Sequence, residues 1–129
     1  MKKCLGVLLA LLFVTTAVAP ALAETVLEKI GRTGVLTAGT RTASIPFAFI
    51  NEKNEWIGFS VDFLEAVRAR AEKKLGKPIK LDKKEVTPAT RIPLVANRTI
   101  DVECGSTTYT RGRDETVDFS INFFFTGSQ

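Results

Sequence analysis

Between Ile100 and Ser120 the chain reads IDVECGSTTYTRGRDETVDFS: an apolar strand, three hydroxyls (Ser106, Thr107, Thr108), two guanidinium groups (Arg111, Arg113), then a second apolar segment. Hydroxyls at the carboxyl end of a strand, beside a guanidinium, can hold a carboxylate by charge-assisted hydrogen bonds worth about 1.5–3 kcal/mol each. The chemistry indicated is the binding of a small anion. The same composition also describes an ordinary polar turn, so the reading depends on what other segments bring to the same place.

Two further arginines stand at comparable positions. Arg41 directly follows the apolar run Val35–Thr40, and Arg91 falls in the first turn of a helix expected after the strand Ile79–Val86. Ser106, Thr108 and Arg113 follow a third strand, Ile100–Glu103. If the three strands are parallel, their carboxyl ends share one edge, where ligands of open α/β sheets collect. Arg41, Arg91, Ser106, Thr108 and Arg113 are therefore the candidate ligand-binding residues. Two well-separated guanidinium groups are a natural complement to a ligand with two carboxylates.

The elements that must position these residues are legible in outline. Thr25–Arg32 reads as a short amphipathic helix closed by Gly34. Residues 42–46 are expected to be irregular, and Phe47–Ile50 and Trp56–Phe59 form a hairpin across Asn51–Glu55. Ser60 can cap a helix over 61–75, in which Leu64, Val67, Ala71 and Leu75 recur at helical spacing before Gly76-Lys77-Pro78 ends it. Thr87-Pro88 predicts a helix start reaching to about Ala96, with Pro93 inside it, and that helix would add its positive dipole end to the anion site. A helical turn at 113–116 and a fourth extended segment at 117–125 complete the order. Alternating strands and helices at these spacings imply an α/β fold, a mostly parallel sheet with helices on both faces.

The first 23 residues stand apart. Lys2 and Lys3, an apolar run from Leu5 to Val14, and Ala21-Leu22-Ala23 make a cleavable secretory signal. Cys4 precedes the apolar run, whereas a lipid anchor needs a cysteine after it. Removing Lys2 and Lys3 lowers the formal charge of +4 by two, and nothing resembles the clustered basic surface of a nucleic-acid binder. Cys104 is then left without a disulfide partner. With no histidine and no metal-spaced cysteines, neither a metal site nor a cofactor is expected. Asn97-Arg98-Thr99 fits a glycosylation pattern and is read as without consequence. The expected protein is exported and monomeric.

GTRTASIPFAFI (39–50), IGFSVDFLEAV (57–67), TRIPLVANRTIDVECGSTT (90–108) and the R-x-x-x-VDFS ending (113–120) together resemble the periplasmic amino-acid-binding proteins of ABC transporters. These proteins have the type II binding-protein fold. The resemblance covers residues 24–129 and is greatest to the glutamate/aspartate-binding branch, where GTR, NRIPLL and ECGSTT are characteristic. It implies Ser106 and Thr108 on the ligand's α-amino and α-carboxylate groups, Arg113 on the α-carboxylate, and Arg41 with Arg91 on the side-chain carboxylate. It also implies a periplasmic location and a membrane permease as partner.

The chain departs from the branch at Pro88, where a serine is usual, and at Tyr109-Thr110-Arg111-Gly112, usually asparagine-rich. Members of the family are two-lobed, and this chain stops near the first crossover between lobes. The expectation is an N-terminal lobe over 24–129 with the second lobe missing, and weakened binding by this lobe alone. The alternatives on the same fold are a periplasmic cyclohexadienyl dehydratase-like enzyme and the ligand-sensing lobe of a receptor. For the enzyme, Asp62, Glu65, Glu103 and Asp114 are the candidate acids or bases, each better read as a surface or capping residue.

Overall fold

A computed structural model describes residues 23–125. The expected export segment lies outside them except for its last residue.

The chain opens with α1 (Val26–Thr33), whose start is a capping box. The Thr25 hydroxyl accepts from the Glu28 N–H at 3.2 Å and Glu28 Oε2 accepts from the Thr25 N–H at 2.8 Å. Gly34, at φ 71°, closes the helix in the left-handed region. Strand β1 (Val35–Thr40) follows and is buried from Leu36 onward. Its unbroken run of small and apolar residues suits a strand covered on both faces.

Next come β2 (Ala43–Ser44), β3 (Ala48–Ile50) and β4 (Trp56–Ile57), a small antiparallel sheet in which Ala43 pairs with Phe49 and Ile50 with Trp56. The stretch expected to be irregular thus contains a short strand. The turn is built on Asn51, whose Oδ1 accepts from the Lys53 and Glu55 N–H groups at 3.0 and 2.8 Å.

Helix α2 (Phe59–Leu75) begins earlier than a Ser60 cap would allow. The Phe59 and Ser60 N–H groups donate to the Pro46 and Phe47 carbonyls at 3.1 and 2.8 Å, so backbone from the neighbouring loop does the capping. Ser60 is buried instead, with its hydroxyl unpartnered. Gly58, at φ 119°, is required there: a Cβ would lie 2.6 Å from the Phe47 carbonyl oxygen.

Strand β5 (Lys80–Glu85), α3 (Arg91–Ala96), β6 (Val102–Glu103) and α4 (Arg111–Asp114) complete the order. The main sheet runs β5-β1-β6 with all three strands parallel, Thr40 opposite Glu85 and Gly39 opposite Glu103. Leu36 and Ala38 face α1 and α2: Ile30, Leu36 and Ile79 pack with Val67 and Leu75, and Ala38 packs with Leu64 and Cys104. Gly39 points the other way, and a Cβ there would come within 2.9 Å of Val86 and closer still to Ile100, the residues that bracket α3. The result is a single α/β lobe, its parallel sheet accompanied by a small antiparallel one.

Two further expectations are corrected. The helix expected from Thr87-Pro88 begins at Arg91 and has six residues. Thr87 and Thr90 bond each other's N–H groups through their hydroxyls at 3.0 and 3.2 Å, which holds 87–90 as a turn. The amino end of this helix thus lies at Arg91 itself. The segment 117–125 forms no strand. Its aromatics pack on side chains instead, Phe123 stacked on Phe63 at 4.7 Å and Phe124 edge-on to Phe47 at 4.8 Å.

Candidate anion site

Because β1, β5 and β6 are parallel, their carboxyl ends meet at one edge, and local bonds fix the residues just beyond each end. The Thr40 hydroxyl donates to the Cys104 carbonyl at 2.8 Å in a buried bond between the ends of β1 and β6. The Trp56 indole N–H donates to the Arg41 carbonyl at 3.0 Å, which ties residue 41 to the hairpin. Arg41 and Gly105 are thereby neighbours, the Arg41 Cγ lying 3.6 Å from where a Cβ on Gly105 would sit.

Arg91 is 6% exposed, and its Nε and Nη1 are buried without a hydrogen-bond partner. Burial holds its guanidinium below the ordinary value. Glu103 pulls it back up, while the charges of Arg113 and Arg41 push it down further. Arg113, on α4, is half-buried and donates from Nη1 to the Thr108 carbonyl at 2.7 Å. Helix α4 is capped by Thr110, whose hydroxyl accepts from the Arg113 N–H at 3.4 Å.

Near this edge lies Glu103, at the end of β6, which sequence reading took for a surface or capping residue. It is half-buried, and its Oε1 is buried without a partner. Its Oε2 accepts from the Thr107 hydroxyl at 2.7 Å. Burial raises its carboxyl above the usual range, opposed by the Thr107 bond and by Arg91, Arg113 and Arg41. Arg41 Cγ and Glu103 Oε1 flank Gly105, lying 3.6 and 2.9 Å from where a Cβ would sit on it. Glu103 is directly opposite Gly39 of the central strand, and that register is the signal that would have located it.

Ser106 and Thr108 are exposed. The Ser44 hydroxyl donates to Ser106 Oγ at 3.4 Å. Both residues line a cleft of about 330 Å3, bounded also by Phe47, Tyr109 and the 119–125 segment. That cleft takes in the hydroxyls but not the side chains of Arg41, Arg91 and Arg113. The expected hydroxyls thus stand on the rim of an aromatic cleft, with Arg113 bonded to the Thr108 carbonyl and Arg41 against Gly105.

The chemistry such side chains offer is hydrogen bonding to an anion. Arg91 presents buried unpaired donors, and unpaired buried donors favour an incoming carboxylate strongly. Of the other expected acids, Asp62 and Asp114 are exposed and Glu65 is paired with Arg68 at 2.7 Å. The buried Cys104 thiol is pushed up to about 11, which suppresses the nucleophilic thiolate at neutral pH. Among the described residues no group of three or more His, Cys, Asp or Glu side chains could hold a metal ion, and no helix is long and apolar enough to cross a membrane.

Comparison with known proteins gives a consistent picture. The model of the bacterial extracellular solute-binding proteins, family 3, matches residues 36–129. The L-glutamate/L-aspartate-binding protein of Pseudomonas aeruginosa PAO1 is 45% identical over 105 residues, covering 80% of this chain and 35% of that protein. The glutamate/aspartate import solute-binding protein of Escherichia coli K12 is 38% identical over 112 residues, covering 86% of this chain and 37% of that protein. Among solved structures, domain 1 of TmArgBP in its arginine-bound form matches with a TM-score of 0.66 at 28% identity, over 76% of this chain and 71% of that one. The chain spans little more than a third of the length of these two solute-binding relatives.

Proposed function

The chain belongs to the bacterial extracellular solute-binding proteins of family 3, and we propose that residues 24–129 are the N-terminal lobe of a periplasmic amino-acid-binding protein. Its ligand is glutamate or aspartate, delivered to the permease of an ABC transporter. One observation carries the reading: Arg41 lies against Gly105 and Arg113 donates to the Thr108 carbonyl, so cations from two separate strand ends flank the loop that carries the Ser106 and Thr108 hydroxyls. An amino acid with an acidic side chain presents two carboxylates and needs that excess of positive charge. The names of the P. aeruginosa and E. coli relatives support the same ligand class.

In this reading Arg113, Ser106 and Thr108 hold the α-carboxylate and α-amino groups, and Arg41 and Arg91 hold the side-chain carboxylate. A lobe by itself leaves the far side of the ligand in water, where an ion pair contributes about 0–1 kcal/mol. Binding is therefore weak, on the order of millimolar. The arginine-bound form of a single domain of TmArgBP supports the idea that one lobe can hold a ligand.

The test is an NMR titration of the mature chain from Glu24 with L-glutamate, L-aspartate and L-glutamine. Saturable shifts confined to amides near residues 41, 91 and 103–113, strongest for the two acidic ligands, support the reading. Absence of any shift with the acidic ligands at about 50 mM, far above the millimolar affinity expected, overturns it.

A further inference from the structure

We propose that Trp56 is a positioning residue for Arg41: its indole N–H fixes the backbone from which that guanidinium reaches the ligand, and so sets the preference for an acidic over an amide side chain. The inference rests on reading Arg41 as the contact for the side-chain carboxylate, and it gives a specificity role to a residue outside the ligand-holding set.

Arg41 lies in the short link between the two sheets, after β1 ends at Thr40 and before β2 begins at Ala43. On one side Thr40 is held to the main sheet, its carbonyl accepting from the Val86 N–H at 3.0 Å and its hydroxyl donating to the Cys104 carbonyl at 2.8 Å. On the other side the Thr42 carbonyl accepts from the Ile50 N–H at 3.0 Å, and the Thr42 hydroxyl donates to Glu85 Oε1 at 2.6 Å. The Arg41 carbonyl falls between these anchors. A backbone carbonyl shielded from water needs a donor, and here the donor is the Trp56 indole, at 3.0 Å in a part-buried bond. Trp56 is itself placed by β4, where it pairs with Ile50 of β3. The same small sheet also reaches the hydroxyl side of the site, since the Ser44 hydroxyl of β2 donates to Ser106 Oγ at 3.4 Å.

While its backbone is pinned, the Arg41 side chain stays available. It makes no ion pair among the described residues, and its Cγ lies against Gly105, 3.6 Å from where a Cβ would sit. A carboxylate can take two parallel N–H bonds from a guanidinium, and that paired contact demands direction as well as charge. A side-chain amide offers a single oxygen and gains less from direction. Loosening the backbone beneath Arg41 therefore erodes the advantage of L-glutamate over L-glutamine. The α-carboxylate and α-amino groups, held in the proposed reading by Arg113, Ser106 and Thr108, do not depend on this bond.

Trp56 is the only tryptophan of the chain, so its indole N–H gives one assignable NMR signal. The mature chain is titrated with L-glutamate and L-glutamine, and Trp56→Phe, Arg41→Ala and the double variant are measured alongside. Expected are a saturable indole shift with L-glutamate that follows the amides of 103–113, a loss on the order of two- to fivefold for L-glutamate in Trp56→Phe with little change for L-glutamine, and no further loss when the substitution is added to Arg41→Ala. An indole signal unmoved at saturating L-glutamate overturns the proposal even if the variants do not fold. Equal losses for the two ligands in Trp56→Phe, or additive losses in the double variant, also overturn it while leaving the amino-acid-binding reading intact. No response of any signal to either ligand overturns both.

Discussion

Thr40 and Cys104, at the carboxyl ends of neighbouring strands, are joined by a buried hydrogen bond from the threonine hydroxyl to the cysteine carbonyl at 2.8 Å. That bond sets Arg41 beside Gly105 and so fixes the spacing between the first cation of the site and the loop that carries Ser106 and Thr108.

Thr40→Val keeps the volume but leaves the Cys104 carbonyl without this donor. The expected loss of stability is about 1–3 kcal/mol. Urea denaturation of the mature chain checks it, and a change under about 0.5 kcal/mol, the low end for a net hydrogen bond, would show the bond to be dispensable.

Leu64 is fully buried between Ala38 and Cys104 on the face of the sheet that carries α2. Truncation to alanine removes its packing and leaves a cavity, at a cost of about 2–5 kcal/mol. The same denaturation series measures the change, and Phe63→Ala on the exposed side of α2 should cost clearly less.

The proposed division of labour among the arginines separates by ligand. Arg113→Ala should weaken L-glutamate and L-glutamine alike by about two- to fivefold, the scale of an open ion pair. Arg41→Ala should do so mainly for L-glutamate. Equal losses for the two ligands in the second variant would remove the side-chain-carboxylate role from Arg41. Micromolar binding of L-glutamate to the wild-type chain by calorimetry would contradict the open half-site.

Glu72 accepts from the Ile79 N–H at 2.9 Å and pairs with Arg68 at 2.6 Å. The backbone bond first, and then Arg68, hold its carboxyl below the usual range. A carboxyl depressed in the folded state contributes stability that is present above its unfolded value and lost as pH falls through its folded one. Glu72→Gln should therefore be less stable than wild type at neutral pH, with the gap closing on acidification. A gap that persists unchanged below about pH 3, under the free-carboxyl range, would contradict this linkage.

Much of the fold was legible because its signals are local. Strand β1 has the bounds read from sequence, since a strand buried on both faces shows as a continuous run of small and apolar residues. Gly34 closes α1 as its type predicts. The misplaced helix starts have a common cause. Ser60 and the Thr87-Pro88 pair carry the right chemistry for caps, but the α2 start was already satisfied by the Pro46 and Phe47 carbonyls, and Thr87 found Thr90. Competition from a partner distant in sequence, or from a nearby turn, is invisible to a residue-type rule.

By itself the sequence determined which residues could bind an anion and on which strand ends they stand, because residue chemistry and strand periodicity are properties of short windows. Only the tertiary structure decided that Glu103 is half-buried with one carboxyl oxygen unpartnered while Ser106 and Thr108 open onto an aromatic cleft. That outcome arises from the parallel register of β1 with β6, in which residues 39 and 103 are opposite each other. A pairing across so many residues is set by the packing of the whole sheet, and no window of the chain contains it.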